Sequence, residues 1–212
     1  MARQLGGIMD GFSGTIGNII GYRWRGQDFI RSRPSRTKKR KPTKAQKLQR
    51  EKFAMVMQFL NGIREVVDQF YGQPEKTKSR FNLALSYHLK EAVIQDSNQR
   101  FAMDYQRVLV SMGELREVEQ VSYTKNPGRV ISLSWVNNSR QGNAEATDLL
   151  HAVVYCPRLK EFRSYPDLAS RASEWTSFQL PLSFKNKELH LWVYMTSLSK
   201  KEKSLNTYLG VL

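Results

Sequence analysis

The spacing of hydrophobic residues divides the chain into three parts. Residues 1–41 combine many glycines with short alternating runs, residues 42–96 repeat apolar positions every three or four residues, and residues 97–212 alternate apolar and polar positions in short segments. We therefore expect an α+β protein with three domains. They are a glycine-rich start with a β-hairpin and a basic arm, an antiparallel helical hairpin, and an immunoglobulin- or fibronectin-like β-sandwich.

The first part contains a predicted two-stranded ribbon. Ile20, Tyr22 and Trp24 fall on one face of a strand that begins near residue 18. Gly26-Gln27 can form a type II′ turn, because glycine adopts the positive φ of its first central position. Residues 28–33 then return as the second strand.

Two helices are predicted in the second part. The first should begin at Thr43, which forms a capping-box pair with Gln46, and run to Tyr71-Gly72. The second should cover Lys78 to Ile94. Their apolar stripes consist of Phe53, Val56, Leu60, Ile63, Val67 and Phe70 in the first, and of Phe81, Leu85, Leu89 and Val93 in the second.

The last part has the pattern of short strands separated by turn residues. Clear alternation and turn signals such as Asn126-Pro127-Gly128 mark the boundaries. The predicted strands are Arg107–Ser111, Glu114–Tyr123, Val130–Val136, Leu149–Cys156, Thr176–Ser183, Glu188–Thr196 and Ser204–Val211.

Charge is concentrated at the N-terminal end. The net charge is +15, and residues 1–50 hold 13 Lys/Arg against only Asp10 and Asp28, which gives +11 for this quarter of the chain. A polyanion such as DNA or RNA is the default partner of such a segment, ahead of an anionic membrane surface. The remaining alternative is a solvated arm that only aids solubility.

The sequence predicts binding to the phosphate backbone of nucleic acid without sequence preference. The predicted contact residues are Arg23, Arg25, Arg31, Arg33, Arg36, Lys38, Lys39, Arg40, Lys41, Lys44, Lys47 and Arg50. Tyr22, Trp24 and Phe29 could stack on bases or pack in the protein's own core, and core packing is the default for large aromatics.

Nothing in the sequence indicates an enzyme. His88, His151 and His190 have no cysteine or second histidine at metal-ligand spacing, so we expect no metal site and no cofactor. We assign His88 and His190 to the surface or to satisfied, partly buried positions. Phosphate-loop and hydrolase motifs are absent. Cys156 is the single cysteine and is expected to be a small buried residue.

Several motifs resemble a known but uncharacterised family. They are G-F-S-G-x-I-G-N-I-I-G-Y-x-W-R-G at residues 11–26, Ile30-Arg31-x-Arg33-Pro34, Thr43-x-x-Gln46-x-x-x-Arg50-x-x-Phe53, and Asn206-x-Tyr208-Leu209-Gly210. The chain resembles a Bacteroidota family of domains of unknown function, a likeness that implies no activity and no functional residues.

The R-x-R-P and T-x-x-Q-x-x-x-R-x-x-F motifs are also similar to small phage and prophage structural proteins. This similarity implies the alternative function, a subunit of a particle or filament whose N-terminal arm threads into neighbouring copies.

The chain shows no secretory signal and no apolar run of the roughly 20 residues that cross a bilayer. We expect a soluble protein of the cytoplasm, or of an assembly built there.

Overall fold

A computed structural model describes residues 2–4, 11–34, 41–74, 78–96 and 100–212. The chain divides into two compact units, an N-terminal unit Met1–Thr43 and a C-terminal unit Lys44–Leu212. Helices are mixed with several antiparallel sheets, in agreement with the predicted α+β class. The predicted division near residue 97 lies inside the C-terminal unit.

The N-terminal unit is a four-stranded antiparallel sheet. Its strands are β1 (Ala2–Gln4), β2 (Gly14–Ile16), β3 (Ile19–Trp24) and β4 (Gln27–Ser32), in the order β1-β4-β3-β2. The predicted ribbon is confirmed as β3 and β4, whereas β1 and β2 were not predicted. Both are three residues long in a glycine-rich segment, so they carry no alternation that the sequence could reveal.

The hairpin turn lies one residue earlier than predicted. Arg25 and Gly26 occupy the two central positions, with φ of 50° and 75°, and Trp24 pairs with Gln27. Two successive positive φ values are those of a type I′ turn, which matches the right-handed twist of the strands. Arg25 therefore adopts a left-handed conformation, whereas the predicted type II′ turn required a positive φ only at Gly26.

Three α-helices form one side of the C-terminal unit. They are α1 (Lys44–Asn61), α2 (Arg64–Phe70) and α3 (Arg80–Glu91). Helix α1 begins directly after Thr43, as predicted. The single helix predicted to reach Gly72 is wrong, because the helix is interrupted at Gly62-Ile63.

Close backbone packing explains the interruption. A β-carbon on Gly62 would lie only 2.8 Å from Cδ2 of Phe162 and 3.3 Å from the carbonyl oxygen of Phe59. Glycine thus allows the backbone to approach the Phe162 ring. The second predicted helix also ends early, at Glu91, because the next residues pair as a strand.

The strands of the C-terminal unit form three antiparallel sheets. Their bounds are β5 (Val93–Gln95), β6 (Phe101–Met103), β7 (Glu119–Asn126), β8 (Val130–Val136), β9 (Leu149–Cys156), β10 (Glu161–Ser170), β11 (Trp175–Gln179), β12 (His190–Thr196) and β13 (Thr207–Val211). One sheet has the order β10-β9-β12-β13, a second has the order β11-β8-β7, and β5 pairs with β6. Strands β8 and β9 have the predicted bounds.

The strand predicted at Arg107–Ser111 is wrong. The Asn206 side chain takes the place of a partner strand, because its Oδ1 accepts from Val110 N at 2.7 Å and from Ser111 N at 3.3 Å. Its Nδ2 donates to Val108 O at 3.1 Å. One side-chain amide thus satisfies backbone N–H and C=O groups of an extended segment that does not pair with a strand.

Strand β10 was missed by the sequence prediction. It contains Pro166, and its pairing with β9 is irregular between Tyr165 and Ala169. Proline cannot donate to a ladder, so it weakens the sequence signal of a strand and is tolerated here at a bulge on the sheet edge.

The central strands β9 and β12 are buried on both faces. On one face, Val153, Tyr155, Trp192 and Tyr194 pack against the helices. On the other face, residues such as Val154 and Leu191 share a core with the three-stranded sheet. The order of layers is therefore helices, four-stranded sheet and three-stranded sheet.

All three histidines are buried in the C-terminal unit, so the surface position that was one of two alternatives for His88 and His190 is wrong. The His88 ring lies 2.8 Å from the carbonyl oxygen of Ala84 through Nδ1, and its Nε2 accepts from Leu109 N at 3.3 Å. Burial lowers the pKa of His88 to about 4. His88 is therefore a neutral structural residue, and Cys156 is buried as predicted.

Candidate functional site

The sequence-predicted aromatics lie together on one face of the N-terminal sheet. Tyr22 and Phe29 are register partners across β3 and β4, and their rings stack with centroids 5.7 Å apart. Trp24 contacts Phe29 diagonally, at 6.1 Å between ring centroids. We call these three rings, together with Arg25 and Arg31, the aromatic face.

Two arginines lie over these rings. The Arg25 Cζ is 5.0 Å from the Trp24 ring centroid, and the Arg31 Cζ is 5.7 Å from that of Tyr22. Stacking on a ring leaves guanidinium N–H groups at the rim free to reach an anion while the ring holds the side chain in place. The aromatic face therefore presents donors and apolar surface side by side.

The rings are not part of a hydrophobic core among the described residues. Tyr22 and Phe29 are half-buried, and Trp24 is 49% exposed. The default expectation of core packing is thus not met within the described chain. The residues of the two core clusters all belong to the C-terminal unit.

Arg23 lies on the opposite face of the same ribbon. Its register partner is Asp28, and its Nε is 3.9 Å from Asp28 Oδ1. Phe12 covers this face at Gly21, where a β-carbon would lie 2.7 Å from Cε1 of Phe12. Arg23 is therefore separated from the aromatic face, as the alternation along the strand predicts, although it was predicted to contact phosphate together with Arg25 and Arg31.

The other predicted basic residues of the N-terminal unit follow the ribbon along the chain. Arg33 follows β4, where its backbone N donates to Asn18 O at 2.6 Å, and its side chain is exposed. Lys41 is also exposed. The predicted contacts Arg36, Lys38, Lys39 and Arg40 lie outside the described residues.

The remaining predicted residues lie on helix α1 of the C-terminal unit. Lys44, Lys47 and Arg50 are exposed at successive intervals of three residues, and the first turn contains no acid. The positive end of a helix dipole disfavours cations, so this arrangement is stabilised when an anion lies nearby.

Sequence reasoning missed one basic residue at this sheet. Arg3 on β1 is the register partner of Phe29 on β4. A three-residue strand has too short a pattern to be recognised, so only the pairing of β1 with β4 reveals this position.

Other kinds of site have little support in the described chain. Within the described ranges, no group of three His, Cys, Asp or Glu side chains is placed to hold a metal ion. None of the described helices is long and apolar enough to cross a membrane.

Comparison of the sequence with known proteins identifies a family. No curated protein matches the chain. A model of a family of unknown function, DUF6266, matches residues 11–210, and this range includes β2, β3 and β4 together with nearly all of the C-terminal unit. The chain therefore belongs to this family of unknown function.

Proposed function

We propose that the chain is a non-enzymatic protein that binds nucleic acid without sequence preference, and that the aromatic face receives a single strand. The observation that carries the proposal is the pairing of exposed Trp24 with Arg25, and of Tyr22 with Arg31, on one sheet face. Single-strand binders combine such stacking rings with cations that follow the backbone.

The exposed ring is the reason to prefer a single strand. Bases in a duplex are stacked within the helix, so a protein ring cannot lie against them without unstacking a step. An unpaired base offers its π-face to Trp24, and Arg25 and Arg31 would contact the flanking phosphates. Every base has such a face, so the contact is insensitive to sequence.

Two basic segments support the same proposal. The exposed Arg33 and Lys41 extend the charge beyond β4, and Lys44 and Lys47 lie at the start of α1, whose first turn contains no acid. Each segment can neutralise phosphates and release counterions. In this proposal the sheets of the C-terminal unit, predicted as an immunoglobulin- or fibronectin-like sandwich, act as a scaffold in a cytoplasmic protein.

The test is a salt series with a fluorescently labelled single-stranded oligonucleotide, read by anisotropy. We expect log K to fall linearly with log salt, by about 0.7 per phosphate contacted. Replacing Arg25 and Arg31 together by Gln should reduce this slope by about 1.4, because two phosphate contacts are lost.

The matched control replaces the exposed Arg158 and Arg163 of the C-terminal unit by Gln, which removes the same charge elsewhere. It should leave the slope nearly unchanged. A binding constant that does not respond to salt would contradict the proposal, as would equal slopes for the two double variants.

A structural subunit of a phage-like particle or filament is the alternative, and one observation favours it. Strand β2 (Gly14–Ile16) is an edge of the N-terminal sheet, all three of its residues are exposed, and Ile16 is 57% exposed. Such an edge can pair with a strand of another copy. The phage and prophage likeness of the arm motifs fits this alternative.

Sedimentation of nuclease-treated protein distinguishes the two functions. A large species that persists without nucleic acid and dissociates in an Ile16→Lys variant would support assembly. A monodisperse monomer that still binds the oligonucleotide would support nucleic-acid binding alone.

A further inference from the structure

A groove in the C-terminal unit contains a largely buried lysine. Lys203 lies between β12 and β13, is only 3% exposed, and lines a groove of about 890 Å³ beside α3. Within the described residues, its ammonium group forms no hydrogen bond and no ion pair. An unpaired ammonium in a buried position is costly to desolvate.

The backbone is shaped to hold this lysine in place. Leu115 N donates to the carbonyl oxygen of Lys203 at 3.0 Å, and a β-carbon on Gly113 would lie 2.8 Å from Cγ of Lys203. Glycine at position 113 thus leaves room for the lysine stem. The side chain is packed at a defined position, unlike a surface lysine in solvent.

A second cation lies close to the first. Among the described residues, Arg80 donates to neutral oxygens, namely Gly72 O at 3.2 Å, Asp68 O at 3.2 Å and Gln73 Oε1 at 3.5 Å. Burial lowers the pKa of Lys203, and the charge of Arg80 lowers it further. No carboxylate among the described residues offsets this effect.

The groove also contains a buried hydroxyl without a partner. The Tyr71 hydroxyl is buried and forms no hydrogen bond within the described chain. Burial raises the pKa of Tyr71, so the phenol keeps its proton and remains a donor. The Tyr71 hydroxyl is therefore part of the groove wall, and Lys203 is the donor that we assign to a ligand.

The remaining lining sets the chemical class of the ligand. Leu83, Tyr87, Met112 and Leu205 contribute apolar surface to the groove. Glutamates 91, 114 and 202 also line it, but they are exposed and hydrated. A ligand that satisfies both parts carries an acidic group for Lys203 and an apolar body for the wall.

We propose that this groove binds a small organic carboxylate, whose oxygens accept from Lys203 while its hydrocarbon part lies against Leu83 and Met112. The site is independent of the nucleic-acid proposal, because every lining residue belongs to the C-terminal unit. A volume of this size is in the range of small-molecule sites.

The test is a titration of the full chain with sodium hexanoate, followed by amide chemical shifts. We expect saturable shifts at Gly72, Gly113 and Lys203. Hexanamide has the same body without the charge, and it should bind at least about tenfold more weakly, because a charge-assisted hydrogen bond is lost.

Two variants localise the effect. Lys203→Met keeps most of the stem and removes the charge, so it should abolish the preference for hexanoate over hexanamide. Lys125→Met makes the same change at an exposed position on β7 and should leave the preference intact.

Three outcomes would overturn the proposal: no saturable shift in the groove, equal binding of hexanoate and hexanamide, or an unchanged preference in Lys203→Met. The comparison of the two probes needs only the unmodified chain, so it decides the question even where the Lys203 variant folds poorly.

Discussion

The Arg171 guanidinium and the Asp148 carboxylate form a fully buried ion pair. Arg171 Nε donates to Asp148 Oδ2 at 3.1 Å, and Nη2 lies 3.0 Å from the same oxygen. The remaining donors are bonded to Arg116 O, Glu117 O and Asn138 Oδ1. One arginine therefore ties two loops to the start of β9.

Breaking this pair should destabilise the protein strongly. In Arg171→Met the buried Asp148 carboxylate keeps the Glu145 N donor but loses its counter-charge, so we expect a loss of about 3–5 kcal/mol in the free energy of unfolding. Urea denaturation measures this loss. The exposed Arg163→Met should change stability by less than about 0.5 kcal/mol.

A double replacement tests whether the loss of stability comes from the missing ion pair or from the Asp148 charge that stays unpaired. Arg171→Met with Asp148→Leu removes both charges and should recover part of the loss, because no ion then remains unpaired. A loss in Arg171→Met as small as that in Arg163→Met would contradict this account of the pair.

The buried histidines predict loss of stability in acid. Burial lowers the pKa values of His88 and His151 from 6.5 to about 4. Above pH 6.5 both rings are neutral in the folded and unfolded chain. As the pH falls from 6.5 to about 4, only the unfolded chain takes up protons, so stability decreases by on the order of 3 kcal/mol for each histidine.

Urea denaturation across this pH range measures the decrease. In His88→Gln the amide can still donate to Ala84 O and accept from Leu109 N, but it does not titrate. The decrease in stability between pH 6.5 and about 4 should therefore be smaller in this variant by the contribution of one histidine. An equal pH dependence in the variant and the unmodified protein would show that His88 does not titrate as inferred.

Exposed tryptophans in the two units provide a matched test of base stacking. Trp24 is 49% exposed on the aromatic face, and Trp175 is 58% exposed on β11. Trp24→Ala should weaken binding of a single-stranded oligonucleotide by about 1–3 kcal/mol, since one stacking contact is lost. The salt slope should stay the same, because no charge is removed.

Trp175→Ala is the control and should leave the affinity unchanged. Anisotropy with the same labelled oligonucleotide measures both variants. Equal losses in the two variants, or none in Trp24→Ala, would exclude stacking on the aromatic face.

The helix interruption at Gly62 predicts a coupled effect with Phe162. In Gly62→Ala the new β-carbon would lie 2.8 Å from the Phe162 ring, so we expect a loss of about 1–3 kcal/mol from overpacking. Combining it with Phe162→Leu should reduce the penalty of the alanine, which a double-mutant cycle measures. Asn61→Ala, at an exposed neighbouring position, should have little effect.

Local patterns in the sequence determined much of the secondary structure. Alternation placed β8 and β9 at their observed bounds, and Thr43 marked the start of α1. The apolar stripe of the first helix also predicted its buried positions, such as Val56 and Leu60. These features depend on neighbours within a few residues, which a single sequence displays directly.

Contacts between distant segments decided the rest. Gly62 breaks a helix because Phe162, a hundred residues later, packs against it, and Asn206 replaces a strand partner for residues 108–111. Neither contact leaves a periodic signal near the residue it affects.

The sequence alone determined that basic and aromatic residues are concentrated around positions 22–50. Alternation along the first strand already separates Arg23 from Tyr22 and Trp24, whereas the register of β3 and β4 decided that Arg31 lies beside Tyr22 and Asp28 beside Arg23. Likewise, only the tertiary structure places Lys203 beside Gly113 and Leu115 and leaves it 3% exposed. Charge and composition follow directly from the sequence, but which charges share a surface depends on strand pairing and on packing between distant segments.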